Sequence, residues 1–171
     1  MTEMNDNLVL DDFQKQPLPT GLNVLTILSI IGCVLQFLLA TWGFISSKAN
    51  YEQKDAVLEK LNSGSLPSWA KSMMPDPERY SELMTKSYEN RIPILLLGLI
   101  AIGLCFVGVL QMRKRKKQGF MLYTIGELLP FLTSAIFLGA FTLTGGTAYF
   151  GYAIAALFIL MYAGQRKYLT K

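Results

Sequence analysis

The chain has no histidine and two cysteines. Without histidine it lacks the commonest metal ligand and the commonest general base. This argues against haem, zinc and Ser-His chemistry. The cysteines, Cys33 and Cys105, both fall inside apolar runs, away from an oxidising surface, so a stabilising disulfide is not expected. There is no CxxC motif and no glycine-rich phosphate loop after a strand. The sequence therefore points away from an enzyme, and no cofactor or metal is expected. Acids are scarce too: beyond Arg91 the chain holds one, Glu127. The N-terminus is acidic, with Glu3, Asp6, Asp11 and Asp12 against Lys15. A secretory signal peptide starts with a positive segment, so none is expected to be cleaved here.

The chain is instead rich in apolar residues. Hydrophobic residues make up 51% of it, charged residues 16%, and the mean hydropathy is +0.34. The apolar residues gather in four runs, at about 22–45, 92–112, 120–144 and 147–164. A bilayer's hydrocarbon core of ~30 Å needs about 20 helical residues to cross it. The sequence thus predicts an all-α membrane protein of four transmembrane helices. Residues 1–20 form a polar tail, and a helical loop at 46–91 joins the first two spans.

Between the second and third runs stand Arg113, Lys114, Arg115, Lys116 and Lys117, five of the sixteen basic residues. Short, unneutralised cationic loops stay in the cytoplasm. Alternation then puts both termini inside and 46–91 outside a cell's inner (plasma) membrane. Arg166 and Lys167, after the fourth run, fit the same arrangement. The 46–91 segment holds seven basic residues, but seven acids offset them. The pentad could also contact anionic lipid headgroups, each residue contributing ~1 kcal/mol. A nucleic-acid binder would carry its basic residues on a folded soluble face, so no nucleic-acid partner is expected.

Within 46–91, Lys48–Asn62 has the pattern of a helix with a modest apolar stripe. Ser68 is a plausible N-cap for a short segment bearing Trp69, Met73 and Met74. Asp76-Pro77-Glu78 gives a stronger start signal for a helix to about Tyr88. The pattern repeats at Asn90–Pro93. In the second span, Gly98, Ala101, Gly103, Cys105 and Gly108 would allow close helix approach. In spans three and four, Ala135 and Gly139 lie at depths matching Ala155 and Gly151. This predicts small-on-small packing on either side of a Gly145-Gly146 turn. Trp42, Trp69, Tyr149, Tyr152, Tyr162 and Tyr168 would form interfacial belts.

Glu127 has the one charge problem. It lies ~10 Å into the bilayer, where an ionised acid costs on the order of 2–3 kcal/mol. Three readings stay open. It snorkels to Arg115 or Lys117, it hydrogen-bonds within the bundle near Ser29 and Cys105, or it is a proton or cation site. Pro130 nearby frees the Gly126 carbonyl from its usual donor and permits a kink. Ser29 and Gln36 are read as the buried polar groups of span one, expected to hydrogen-bond between helices.

The Pro17-Leu18-Pro19 lead into span one and the run Lys117-Gln118-Gly119-Phe120-Met121-Leu122-Tyr123 that opens span three carry a resemblance. In these the chain resembles small four-span bacterial inner-membrane proteins. The resemblance implies the same topology and brings no assigned chemistry. The expectation is a non-enzymatic accessory or scaffold subunit, partnered by the lipid bilayer and by another membrane protein or a second copy. The alternative is a small proton-coupled transporter or channel component centred on Glu127.

Overall fold

A computed structural model of the chain describes residues 18–64, 67, 74, 76–144 and 146–169. All regular structure among these residues is helical. The six α-helices are α1 (Thr20–Glu52), α2 (Lys54–Asn62), α3 (Pro77–Glu89), α4 (Arg91–Arg113), α5 (Gln118–Phe137) and α6 (Gly146–Gln165). Short 3₁₀ turns occupy Ala140–Leu143 and Arg166–Tyr168. Helices α1, α4, α5 and α6 are long and apolar enough to cross a membrane. The chain is a multi-pass, all-α membrane protein. Trp69, Met73, Ser68 and the tail before Leu18 lie outside the described residues, as does Gly145.

Helix α1 is longer than the hydropathy boundary implies. It passes through Ser46–Tyr51 without a break and bends only at Gln53, before α2. The serines do not stop it because their hydroxyls donate back along the helix. Ser46 bonds the Trp42 carbonyl at 2.8 Å and Ser47 the Phe44 carbonyl at 2.7 Å. At ~1.5 Å per residue α1 is ~50 Å long. Its polar last two turns therefore project beyond the bilayer toward α2 and α3.

Helix α3 starts as its sequence predicts, with Pro77 in its first turn. Asp76 holds the N-cap position without a side-chain capping bond; its carboxylate lies 4.0 Å from Arg79 instead. Asn90 separates α3 from α4 and donates from Nδ2 to the Lys86 carbonyl at 3.0 Å. Two stacked tyrosines tie the end of α1 to α3. The Tyr51 and Tyr88 rings lie 4.8 Å apart and nearly parallel. Each ring carries a cation: Lys54 stands 4.1 Å from the Tyr51 centroid and Arg91 4.6 Å from that of Tyr88. Each ring covers one face of the other, so the cations cap the stack.

Helices α4 and α5 form the tightest pair. A β-carbon at Gly108 would lie 2.6 Å from the Tyr123 amide nitrogen and 2.7 Å from the Gly119 carbonyl oxygen. One at Gly126 would lie 2.8 Å from the Ala101 carbonyl oxygen. Ala101, Cys105, Gly108 and Met112 thus face Gly119, Tyr123 and Gly126, and all seven are buried. The expectation of close approach holds at Ala101, Cys105 and Gly108. It does not hold at Gly98 and Gly103, where an added β-carbon would meet nothing within 4 Å.

The basic pentad closes this hairpin. Arg113 ends α4, and the chain turns over 114–117 with Arg115 at φ 58°. The Arg115 amide donates to the Met112 carbonyl and the Lys116 amide to the Gln111 carbonyl, both at 2.9 Å. This is a left-handed helix cap of the kind glycine usually supplies. Arg166 and Lys167 lie at the same end of the bundle, where the Arg166 guanidinium sits 5.1 Å from the Phe120 ring centroid.

Helix α5 ends earlier than its hydropathy implies. The Leu138 and Gly139 amides both donate to the Ser134 carbonyl, and Gly139 adopts φ 111°, ψ 151°. That backbone region is open to glycine almost alone. A non-helical Gly139 cannot form a helical small-xxx-small pair with Ala135. The Gly139 carbonyl instead accepts from the Thr142 hydroxyl at 2.7 Å, starting the 3₁₀ turn. Across from α5, Gly151 is covered by the Phe131 ring, at 3.5 Å from a β-carbon position there. Phe131 also packs on Tyr152, with centroids 4.6 Å apart. The expected small-on-small register between Ala135, Gly139, Gly151 and Ala155 is therefore not formed. An aromatic ring fills the groove, although Ala155 itself is buried.

The buried core lies at the basic-loop end. Leu22, Leu25 and Cys33 of α1 meet Cys105, Val109 and Met112 of α4, Tyr123 of α5 and Tyr162 of α6. Leu169 folds in beneath them. The other end of the bundle is looser and holds a cavity of about 340 Å³.

Candidate functional site

Several polar groups within the span region converge at one level. Tyr162 on α6 donates its hydroxyl to Ser29 Oγ on α1 at 2.9 Å, and both side chains are buried. The Tyr123 ring on α5 lies 4.8 Å from that of Tyr162, tilted by 59°. Ser29 and Glu127 lie beside the Tyr123 ring. The Cys105 thiol, on α4, sits 3.7 Å from the Tyr123 carbonyl oxygen. All four spanning helices thus meet at one network. Its physical basis is simple: in hydrocarbon an unpaired hydroxyl or carboxyl has no water to turn to.

Glu127 lies at the edge of this cluster, near Tyr123. Glu127 is half-buried, and among the described residues no lysine or arginine forms an ion pair with it. Tyr123 stands one turn from it, on the side of the basic loop. Ser29 belongs to the cluster through its bond with Tyr162.

Gln36 does not. Residues 29, 36, 40 and 47 recur at seven, four and seven along α1, so all four lie on one face. Ser29 and Ser47 are buried there, yet Gln36 is exposed. Helix α6 meets this face at Ser29. Two turns further on, the Gln36 amide has no hydrogen-bond partner among the described residues. The depth is ~24 Å along α1 from Thr20, inside a ~30 Å hydrocarbon core.

Sequence reasoning missed the two tyrosines. Tyr162 was expected in an interfacial belt, but it is 1% exposed. Trp42, at 70%, and Tyr149, at 60%, do face outward. The available signal was depth. Tyr162 lies one turn before the end of α6, Tyr123 little more than one turn into α5, and Ser29 on the first third of α1.

The cavity is the second feature. Ala40, Phe44, Leu95, Gly98, Pro130 and Leu138 form its apolar walls, while Ser47, Asn50, Ser87 and Arg91 gather where the helices leave the bilayer. Pro130, on its floor, is three residues from Glu127. Among the described residues no group of histidine, cysteine, aspartate or glutamate could hold a metal ion.

These features define a multi-helix membrane protein with a polar lock at one end and an open apolar cavity at the other. Protein-family models, curated proteins and solved structures offer no match to the chain.

Proposed function

We propose that the chain is a non-catalytic accessory or scaffold subunit of a larger membrane complex, resident in a cell's inner (plasma) membrane. The observation that carries this is Gln36. An amide moved into a medium without hydrogen-bond partners costs about 4 kcal/mol or more. Gln36 lies at hydrocarbon depth, on the packed face of its helix, and is exposed. A helix from a membrane-protein partner, or from a second copy, would supply the missing bond at this opening. The cationic turn 113–117 and the neighbouring Arg166 and Lys167 support a cytoplasmic position for that end, with both termini inside.

The test is native-detergent purification followed by mass measurement. We expect an assembly heavier than the 19.1 kDa chain. Gln36→Leu releases the bare chain from it and leaves the fold unchanged or slightly stabilised, because it removes an unpaired amide. A wild-type protein that runs as a bare monomer removes the basis of this reading.

A second reading, a proton-coupled transporter or channel component, has one observation in its favour. Glu127 sits one turn from Pro130 on the cavity floor and lies beside the Tyr123, Tyr162 and Ser29 cluster. It predicts that Glu127→Gln abolishes a pH-dependent flux in proteoliposomes with assembly intact. The subunit reading predicts no flux for that substitution to abolish.

A further inference from the structure

We propose that the cavity between α1, α3, α4 and α5 is a binding site for an anionic phospholipid. One acyl chain lies in the cavity and the phosphate lies on Arg91. Neither Gln36 nor Glu127 lines the cavity.

The volume, about 340 Å³, falls within the range of ligand pockets, ~300–1,000 Å³. Its chemistry is graded along the membrane normal. Gly98 lies seven residues beyond Arg91 on α4, so the apolar floor is ~10 Å deeper than the guanidinium. That gradient suits an amphiphile with its head at the interface and its tail inward. It does not suit a small polar solute, which would leave the walls unmatched.

Arg91 supplies the charge recognition. It makes no ion pair among the described residues, although Lys86 close by is paired with Glu82 at 2.6 Å. Its guanidinium carbon lies 4.6 Å from the Tyr88 ring centroid, a cation–π contact that needs none of its five N–H donors. Those donors match a phosphate in a bidentate fork. The Tyr51–Tyr88 stack holds the group in place, so little rotamer freedom is lost on binding. Ser47 and Thr133, by contrast, already donate to the Phe44 and Leu129 carbonyls of their own helices at 2.7 and 2.9 Å. They make no demand for a ligand.

The experiment titrates the full-length protein in nonionic detergent with dioleoyl phosphatidylglycerol, reading bound lipid by native mass spectrometry. Lys114→Gln/Lys116→Gln forms the background, because that exposed turn attracts anionic headgroups by itself. We expect one saturable lipid per chain, with dioleoyl phosphatidylcholine about tenfold weaker. Arg91→Gln brings the anionic lipid to the phosphatidylcholine level. Gly98→Leu fills the cavity from a position where a β-carbon meets nothing within 4 Å, and it weakens both lipids. Arg79→Gln, an exposed cation on the same side, changes nothing. Equal binding of the two lipids overturns the proposal. So does unchanged binding in Arg91→Gln or in Gly98→Leu. Competition by glycerol phosphate without acyl chains also overturns it, since the site would then recognise free phosphate alone.

Discussion

Gly126→Leu abolishes the folded α4–α5 hairpin. The position has no room even for a β-carbon, which would stand 2.8 Å from both the Ala101 carbonyl oxygen and the Cys105 amide nitrogen. These are backbone atoms of a packed helix and cannot swing aside. To admit a leucine the two helices must separate along the whole seam from Gly108–Gly119 to Ala101–Gly126. Helices in a bilayer are held by close van der Waals contact, because lipid is as apolar as leucine and no hydrophobic drive replaces what is lost. Overpacking costs about 1–3 kcal/mol where side chains can adjust, and more where backbone must move. We expect Gly126→Leu and Gly108→Leu to give no monodisperse protein. Gly98→Ala and Gly103→Ala provide the contrast. Both are helical glycines with open space around them, so alanine is neutral or stabilising by up to ~1 kcal/mol through helix propensity. Size-exclusion chromatography and detergent-denaturation midpoints of the four variants check this directly. Equal behaviour at positions 98 and 126 would contradict the observed seam.

Tyr162→Ala has the second largest expected effect. Tyr162 is one of the largest fully buried side chains, and its removal takes away two contacts at once. The ring packs on Tyr123, and the hydroxyl bonds Ser29. The unfolded helices remain in lipid, so transfer from water contributes little to the loss. The cavity and the lost dispersion contacts remain, worth about 2 kcal/mol or more. Tyr162→Phe isolates the hydroxyl. Hydrogen bonds between membrane helices average about 0.6 kcal/mol, so this variant should cost well under half as much. Ser29→Ala should match Tyr162→Phe, and the double substitution should cost less than the sum, because the two remove one bond. Unfolding of all four in mixed micelles gives the comparison. A Tyr162→Phe loss as large as that of Tyr162→Ala would place the energy in the hydroxyl network rather than in ring packing.

Much of the architecture was legible in the chain. Four apolar runs gave four membrane-length helices, Pro77 marked the start of α3, and Arg113–Lys117 marked the turn that closes the tightest hairpin. Three things were hidden, each for a physical reason. The end of α5 depends on a backbone conformation at Gly139, and a glycine in an apolar run reads equally well as packing or as termination. The face that α1 turns inward could not be read, because the helix is apolar all round and has little amphipathic signal. Gln36 was therefore expected to bond between helices of this chain, whereas it is exposed at an opening. The Ser29–Tyr162 contact joins residues 133 apart in sequence, and nothing local marks that pairing. For Glu127, shared depth with Ser29 and Cys105 pointed to the level at which the buried cluster lies. It could not name Tyr123 and Tyr162 as the rings packed at that level.

The most direct test of the subunit reading is cross-linking in the native membrane. A photoreactive amino acid is placed at Leu39, one turn from Gln36 and 69% exposed, and at Val34, on another side of the same helix and 53% exposed. If a partner helix closes the opening at Gln36, position 39 gives a discrete protein adduct that disappears with Gln36→Leu, while position 34 gives lipid adducts alone. Lipid adducts alone from both positions would contradict a partner at this face.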